Sequence, residues 1–308
     1  MKTFLAILAT AVAAGLLLLI VGCAPTPYER APEALGLPED AVRSVADGHV
    51  TLAGGGHAFA FTVGARPATV DGVRYHLHRP AGTLALAAVD AELLRAAAVG
   101  PAPRVPRPVI LLDPGHGGSD VGCAFGKDQE HAIAHDVARH AAAVLRAAGC
   151  DVRLTRAADQ GPTLQARVDQ AVAAPPDAYV SIHVNAAANP EAKGIEVFTL
   201  PAPGCDGTPD NSRAASWPAD LPGHAHLPQA TRLALRAQAA LLRLPGAPAD
   251  RGVKHAYFKV LREVPAPAIL VETGFITNAE DRARLTSPEG RQALGIAIAL
   301  GVLDAFAR

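Results

Sequence analysis

The sequence predicts an α/β fold: a mainly parallel sheet with helices on both faces, preceded by a small β-rich domain. Three observations predict it. From residue 109 onward, short apolar runs of strand length alternate with longer amphipathic runs of helix length. Alanine dominates an apolar half of the chain while aromatics make up only 4%, which suits helices on a compact sheet. Residues 45–100 have a different texture, short alternating runs broken by glycine, which reads as hairpins.

The chain has 308 residues, enough for one full α/β domain and a smaller one. Residues 1–23 read as a signal peptide outside the fold. Met1-Lys2 is followed by an uncharged run to Val21, close to the ~20 residues of a membrane span. However, Ile20-Val21-Gly22-Cys23 resembles a bacterial lipobox. Lipidation of Cys23 is therefore expected, with an uncleaved anchor as the alternative. Ala24 at the next position is compatible with outer-membrane sorting, and so with a periplasmic, membrane-anchored lipoprotein of the cell envelope. Residues 24–44, rich in proline at their start, read as a tether.

In the β-rich region, residues 49–52, 58–63, 68–70 and 73–77 read as strands, turned by Gly54-Gly55-Gly56 and Asp71-Gly72. Residues 87–98 read as a short helix. His49, His57, His76 and His78 are scattered over these strands and read as surface or hairpin histidines. Residues 101–108 carry four prolines in eight positions and read as a stiff linker.

Region 109–308 then alternates. Residues 109–112, 152–155, 178–183, 195–200, 258–261 and 268–271 read as strands. Residues 130–148 (closed by Gly149), 164–174 (ended by Pro175-Pro176), 229–242 and 289–306 read as helices. Residues 201–228 show no periodicity, and a loop that long is usually functional or disordered. If strand 195–200 runs parallel to 178–183, the loop borders the rim that carries His183. Trp217, Asp206, Asp210 and Asn211 are then candidate substrate contacts, and His224 or His226 a candidate lid over a metal until a partner protein removes it. A loop packed on itself around Cys205 is the plainer alternative.

Formal net charge is only −1, and no basic face suggests nucleic acid as a partner. Beyond Cys23 there remain Cys123, Cys150 and Cys205, an odd number that allows at most one bridge. Cys123 lies close to His116 but has apolar neighbours, which suits a small buried residue better than a ligand.

The chemistry concentrates at predicted strand ends. His116, in Asp113-Pro-Gly-His-Gly-Gly118, follows strand 109–112 at its carboxyl end, where open α/β sheets place ligand sites. His183 ends strand 178–183 in the same way. Two such histidines suggest a metal, and catalytic zinc takes three protein ligands with a position left for water. Glu130, opening its helix, fits as the third, and Asp128 is the alternative nearby. His131 and His135 are spaced i, i+4, but no His-Glu-x-x-His motif forms. They and His140 read as solvated or groove-lining. Glu272 stands at the carboxyl end of strand 268–271, where a carboxylate can take a proton from water and pass it on. A structural ion pair with Arg156 or Arg251 is the competing role.

Residues 108–308 resemble the zinc-dependent N-acetylmuramoyl-L-alanine amidases of the Amidase_3 type. The resemblance rests on Asp113–Gly118, Thr155-Arg156-Ala-Ala-Asp159, Leu164-Gln-Ala-Arg167, Ser181-Ile-His-Val-Asn185, Arg251-Gly-Val253 and Val271-Glu-Thr-Gly-Phe-Ile-Thr-Asn278, in family order. It implies hydrolysis of peptidoglycan between the lactyl group of N-acetylmuramic acid and L-alanine. It also implies one zinc ion held by His116, Glu130 and His183, with Glu272 as catalytic acid and base. His131 and Ala132 depart from the Lys and Asp that usually follow the ligand glutamate. The length from Glu130 to Gly149 matches the family helix and favours Glu130 over Asp128. Residues 201–228 have no counterpart in the pattern. A non-catalytic or regulatory wall-binding protein and a zinc peptidase acting within the stem peptide are the competing functions.

Overall fold

The computed structural model describes residues 28–100, 105–208, 212–246 and 248–307. The signal segment with Cys23, part of the proline linker, Asp210 and Asn211 therefore lie outside the described residues. In chain order the N-terminal strands are β1 (Tyr28–Arg30), β2 (Val42–Ala46), β3 (His49–Gly54), β4 (His57–Thr62), β5 (Pro67–Val70), β6 (Val73–His76) and β7 (Ala85–Ala87). There follow β8 (Val109–Pro114), β9 (Ala124–Phe125), β10 (Asp128–Gln129), β11 (Asp151–Leu154), β12 (Ala178–Asn185), β13 (Ile195–Thr199), β14 (Asp250–His255) and β15 (Ala268–Phe275). The helices are α1 (Ala31–Ala34), α2 (Ala88–Leu94), α3 (Glu130–Ala147), α4 (Leu164–Ala173), α5 (Leu227–Leu241), α6 (Lys259–Glu263), α7 (Ala279–Thr286) and α8 (Pro288–Phe306).

Among the described residues one sheet runs in the order β11-β8-β12-β15-β13-β14-β6-β5-β4-β3-β2. β11, β8, β12 and β15 are mutually parallel, as the alternation of strands and helices predicts. Their apolar runs are continuous because both faces are covered. Ile110, Leu112, Val180, Ile182, Ile269 and Val271 pack with α3, α5 and α8 on one face. Leu111, Tyr179 and Leu270 pack with α4 and α6 on the other. With side chains alternating along a strand, Asp113, Ser181, His183 and Glu272 fall on the α4/α6 face, one or two steps beyond those core residues.

Four expectations are corrected. β13 runs antiparallel to β15 and parallel to β14, so it points against β12 and the 201–228 loop leaves from the rim opposite His183. Residues 258–261 lie mainly in helix α6, not a strand; Val260 and Leu261 still reach the core, and Lys259 pairs with Glu263 one turn on at 2.6 Å. The tether stops no later than Tyr28: β1 pairs with β7, and Ala31, Leu35 and Ala41 are fully buried.

The fourth correction is His78, which is no surface histidine. Its side chain and that of Asp90 are wholly buried and meet at 2.8 Å. Its Nε2 accepts the amide of Ala202 at 3.0 Å, and its ring stacks on His255 at 3.9 Å. The N-terminal region is joined to the rest here and through the parallel bridge of β6 to β14, Tyr75 opposite Val253. Val50, Leu52, Phe59, Tyr75, Leu77 and Leu94 belong to the same core cluster as Ile110 and Val137.

Candidate metal centre

His116 leaves the end of β8 in a turn with a left-handed backbone, φ 55°. Arginines hold that turn by its carbonyls. Arg167 donates from Nη1 to Pro114 O at 2.7 Å and from Nη2 to His116 O at 2.5 Å. Arg156 donates to Pro114 O, Gly115 O and His131 O at 2.9, 2.8 and 2.8 Å. Arg167 is itself neutralised by Asp113 at 2.5 Å, and Asp113 accepts the hydroxyls of Thr155 and Ser181 at 2.6 and 2.8 Å. Burial opposes ionisation of Asp113, but Arg167 and the two hydroxyls outweigh it and hold the carboxyl below its ordinary range.

His183, at the end of β12, and Glu130, the first residue of α3, complete the cluster. One ligand atom each of His116, Glu130 and His183 lie within 4.8 Å of one another. Glu130 Oε1 stands 2.8 Å from His183 Nδ1 and 3.3 Å from His116 Nε2. The carboxylate is fixed by two backbone amides, Val184 N at 3.0 Å and Cys123 N at 2.9 Å. Close approach demands glycine at two places. A Cβ on Gly115 would lie 2.4 Å from His183 Cε1, and one on Gly122 would lie 2.5 Å from Glu130 Oε2.

Burial works against ionisation of Glu130, yet the hydrogen bonds to both imidazoles outweigh it and hold its acidity well below the carboxylate range. Hydrogen bonding to Glu130 pushes His116 up to about 9 against the effect of burial. Burial lowers His183, but Glu130 and the neighbouring carboxylates outweigh it and leave it raised. The group is thus an ionised carboxylate between two basic imidazoles, a donor set that suits a divalent borderline cation. Asp120 accepts His116 Nδ1 at 2.8 Å and orients the ring so that Nε2 faces the cluster.

Glu272 lies on β15 in register with His183. Among the described residues it has no ion-pair partner: Arg251 pairs with Glu196 at 2.6 Å, and Arg156 is spent on carbonyls, so neither takes the competing role. Glu272 Oε2 is buried without a hydrogen-bond partner. Burial, reinforced by the negative charges of Glu130 and Glu196, pushes its carboxyl up to about 7 although His183 pulls the other way. Such a group exchanges protons near neutrality, as a general base and acid must.

The rival ligands are elsewhere. Asp128 sits in the β9–β10 hairpin opposite Phe125. His131 bonds Gln129 at 2.9 Å, and Cys123 donates its thiol to Val184 O at 3.1 Å. No described residue of the 201–228 loop lines the cavity at His116, His183 and Glu272. Trp217 instead stacks on Tyr257 and carries the Arg262 guanidinium 3.6 Å from its ring, while His224 Nδ1 accepts Leu221 N at 3.2 Å. Sequence reading missed Asp120 and the two arginine clamps. Asp120, four residues after His116, was the readable signal, since a ligand histidine commonly has a carboxylate on its second nitrogen.

Residues 110–304 match the N-acetylmuramoyl-L-alanine amidase family. The chain is 31% identical over 225 residues to N-acetylmuramoyl-L-alanine amidase AmiA of Escherichia coli K12, covering 64% of this chain and 76% of AmiA. It is 34% identical over 176 residues to LytC of Bacillus subtilis, covering 57% of this chain and 31% of LytC. Among solved structures, the amidase AmiC2 of Nostoc punctiforme is similar at a TM-score of 0.54 and 33% identity, over 65% of this chain and 97% of AmiC2. Cwp6 from Clostridium difficile matches at a TM-score of 0.54 and 27% identity, over 65% of this chain and 30% of Cwp6. The matched stretch runs from β8 to α8 and holds the whole cluster with Glu272, so the chain belongs to the N-acetylmuramoyl-L-alanine amidase family of peptidoglycan hydrolases.

Proposed function

We propose that this amidase cleaves the bond between the lactyl group of N-acetylmuramic acid and L-alanine, with His116, Glu130 and His183 holding one zinc ion and Glu272 moving the proton. The donor set supports zinc: two imidazoles and a carboxylate, with Asp120 on the His116 ring, two backbone amides on Glu130, and one side open to a cleft. Zinc in such a site polarises a carbonyl and acidifies bound water. The chain's own residues do the rest. Glu272 takes a proton from the attacking water and returns it to the departing alanine nitrogen, which leaves as the amine. Arg156 and Arg167 keep the His116 turn rigid, and Asp120 holds His116 with Nε2 toward the cluster.

The observation that carries this reading is the lone carboxylate of Glu272. The residue is half-buried at the cleft wall and in register with His183, and its Oε2 is buried without a hydrogen-bond partner among the described residues, an arrangement costly to keep unless it acts in chemistry. The same group speaks against a non-catalytic wall-binding protein. The test is digestion of purified peptidoglycan by the zinc-loaded protein. Intact stem peptides with a free L-alanine amino terminus are the expected product; cuts within the stem peptide favour a peptidase and reject this reading.

We further propose that Cys23 is lipidated and holds the mature protein on the periplasmic side of a membrane, the outer membrane being the one its Ala24 suits. The lipobox-like Ile20–Cys23 supports it.

A further inference from the structure

The cleft beside Glu272 has a volume of about 500 Å³ and two walls, residues 161–164 before and at the start of α4 and residues 258–260 at the start of α6. Two side chains lining it carry permanent positive charge, Arg167 and Lys259. Arg167 is consumed by Asp113 and by the carbonyls of Pro114 and His116. Among the described residues Lys259 is held only by Glu263, 2.6 Å away and one helical turn on, with both side chains 28% exposed. A half-open pair of that kind contributes less than about a factor of three to an equilibrium, so a ligand carboxylate can replace Glu263 at small cost. Glu263 keeps a second partner in Arg262 at 3.4 Å when released.

Beside Lys259 stands Phe258, a large apolar side chain left 37% exposed. It is not loose: its ring meets buried Phe198 edge-on at 5.3 Å, and Lys254 lies over Phe198 from the side at 5.9 Å. A fixed aromatic wall next to a cation that is free to change partners suits an acidic peptide, with a methyl or methylene on the ring and a carboxylate on the ammonium. Neutral sugar rings offer Lys259 nothing to neutralise.

We propose that Phe258 and Lys259 form the subsite for the stem peptide that departs, and that Lys259 selects stems with a free carboxylate. The inference rests on the amidase reading above and deepens it.

The test compares a muramoyl peptide bearing free carboxyl groups with the same peptide amidated, using the full zinc-loaded chain. Lys259→Gln is expected to raise KM for the acidic peptide about fivefold, with kcat within about twofold, and to act on the amidated peptide as the native protein does. Glu263→Gln, which frees Lys259, is expected to lower or preserve KM for the acidic peptide. If Lys259→Gln affects both peptides alike, or Glu263→Gln weakens binding as Lys259→Gln does, the pair only stabilises α6 and the proposal fails. Binding of both peptides to the Glu272→Gln protein is measured separately, without turnover. A carboxylate preference lost in Glu272→Gln/Lys259→Gln supports the subsite even if the scissile bond differs. No preference in Glu272→Gln, which keeps Lys259, or a preference that persists unchanged in Glu272→Gln/Lys259→Gln, overturns the subsite while leaving the amidase reading to its own digestion test.

Discussion

Glu130 and His183 meet at 2.8 Å between Oε1 and Nδ1, and the same oxygen faces His116 Nε2 at 3.3 Å. One carboxylate oxygen thus stands between both imidazoles, and removing it separates the cluster rather than trimming its edge. Glu130→Ala is expected to weaken zinc binding by more than about 100-fold, beyond the 10- to 100-fold typical of an outer partner. Asp120→Asn, which weakens the hold on the His116 ring while leaving an oxygen for the Gly122 amide, should cost about tenfold. Asp128→Ala should leave metal content unchanged, as measured by elemental analysis after dialysis; loss there with retention in Glu130→Ala would reverse the ligand assignment.

Glu272→Gln is expected to lower kcat by about 10²- to 10⁴-fold while one zinc per chain remains. The pH profile follows from the raised carboxyl, about 7 in the protein without a cation. The base must be ionised to accept a proton, so activity falls as pH drops through that value. A nearby dication would oppose that raise, which places the acid limb of kcat at or below pH 7. An acid limb well above pH 7 would assign the limb to another group.

Asp113 gives a stability prediction with a sign. Its folded acidity is stronger than that of an ordinary carboxyl, so its stabilisation is present above the unfolded value, about 3.9. That stabilisation fades as pH falls through the folded value. Asp113→Asn leaves Arg167 buried without its counter-charge and should cost about 3–5 kcal/mol at neutral pH. Denaturant unfolding across pH should find the deficit shrinking below about pH 4.

Asp90 accepts the ring and amide of His78 and the amide of Arg79 at 2.8, 2.8 and 3.1 Å. Asp90→Ala strands these donors in the core and should cost about 3 kcal/mol. Because the N-terminal strands share one core with the catalytic region, thermal unfolding is expected to remain a single transition at lower Tm. Two separated transitions would show that the two regions fold independently.

The lipid anchor is checked by mass spectrometry of the mature protein. An acylated Cys23 as first residue is expected, and a chain that begins elsewhere without acyl groups rejects it.

The parts of the site legible in the sequence were those written locally. His116, His183 and Glu272 each end an apolar run, and strand ends are where an α/β sheet presents its chemistry. Glu130 was legible from the start of an amphipathic helix. What the chain does not write locally was lost. The direction of β13 depends on which neighbours it pairs with, and nothing in Ile195–Thr199 encodes that. Residues 258–261 are too short an apolar run to show a helical or strand period. His78 looks like any hairpin histidine until Asp90, twelve positions on, is folded against it.

The reversal of β13 has an effect on how the enzyme can change over generations. Residues 200–249 leave β13 at the rim away from His183 and, because β13 and β14 are parallel, cross back along α5 to begin β14 at the rim that carries Glu272. Lengthening such a segment costs only about 0.6 kcal/mol for each doubling of its length. The described residues of the part that follows β13, residues 201–226, line no wall of the cleft, and that part is therefore a place where insertions, fused modules or reporter domains can accumulate while the hydrolytic centre, built from β8, β12 and β15, keeps its geometry.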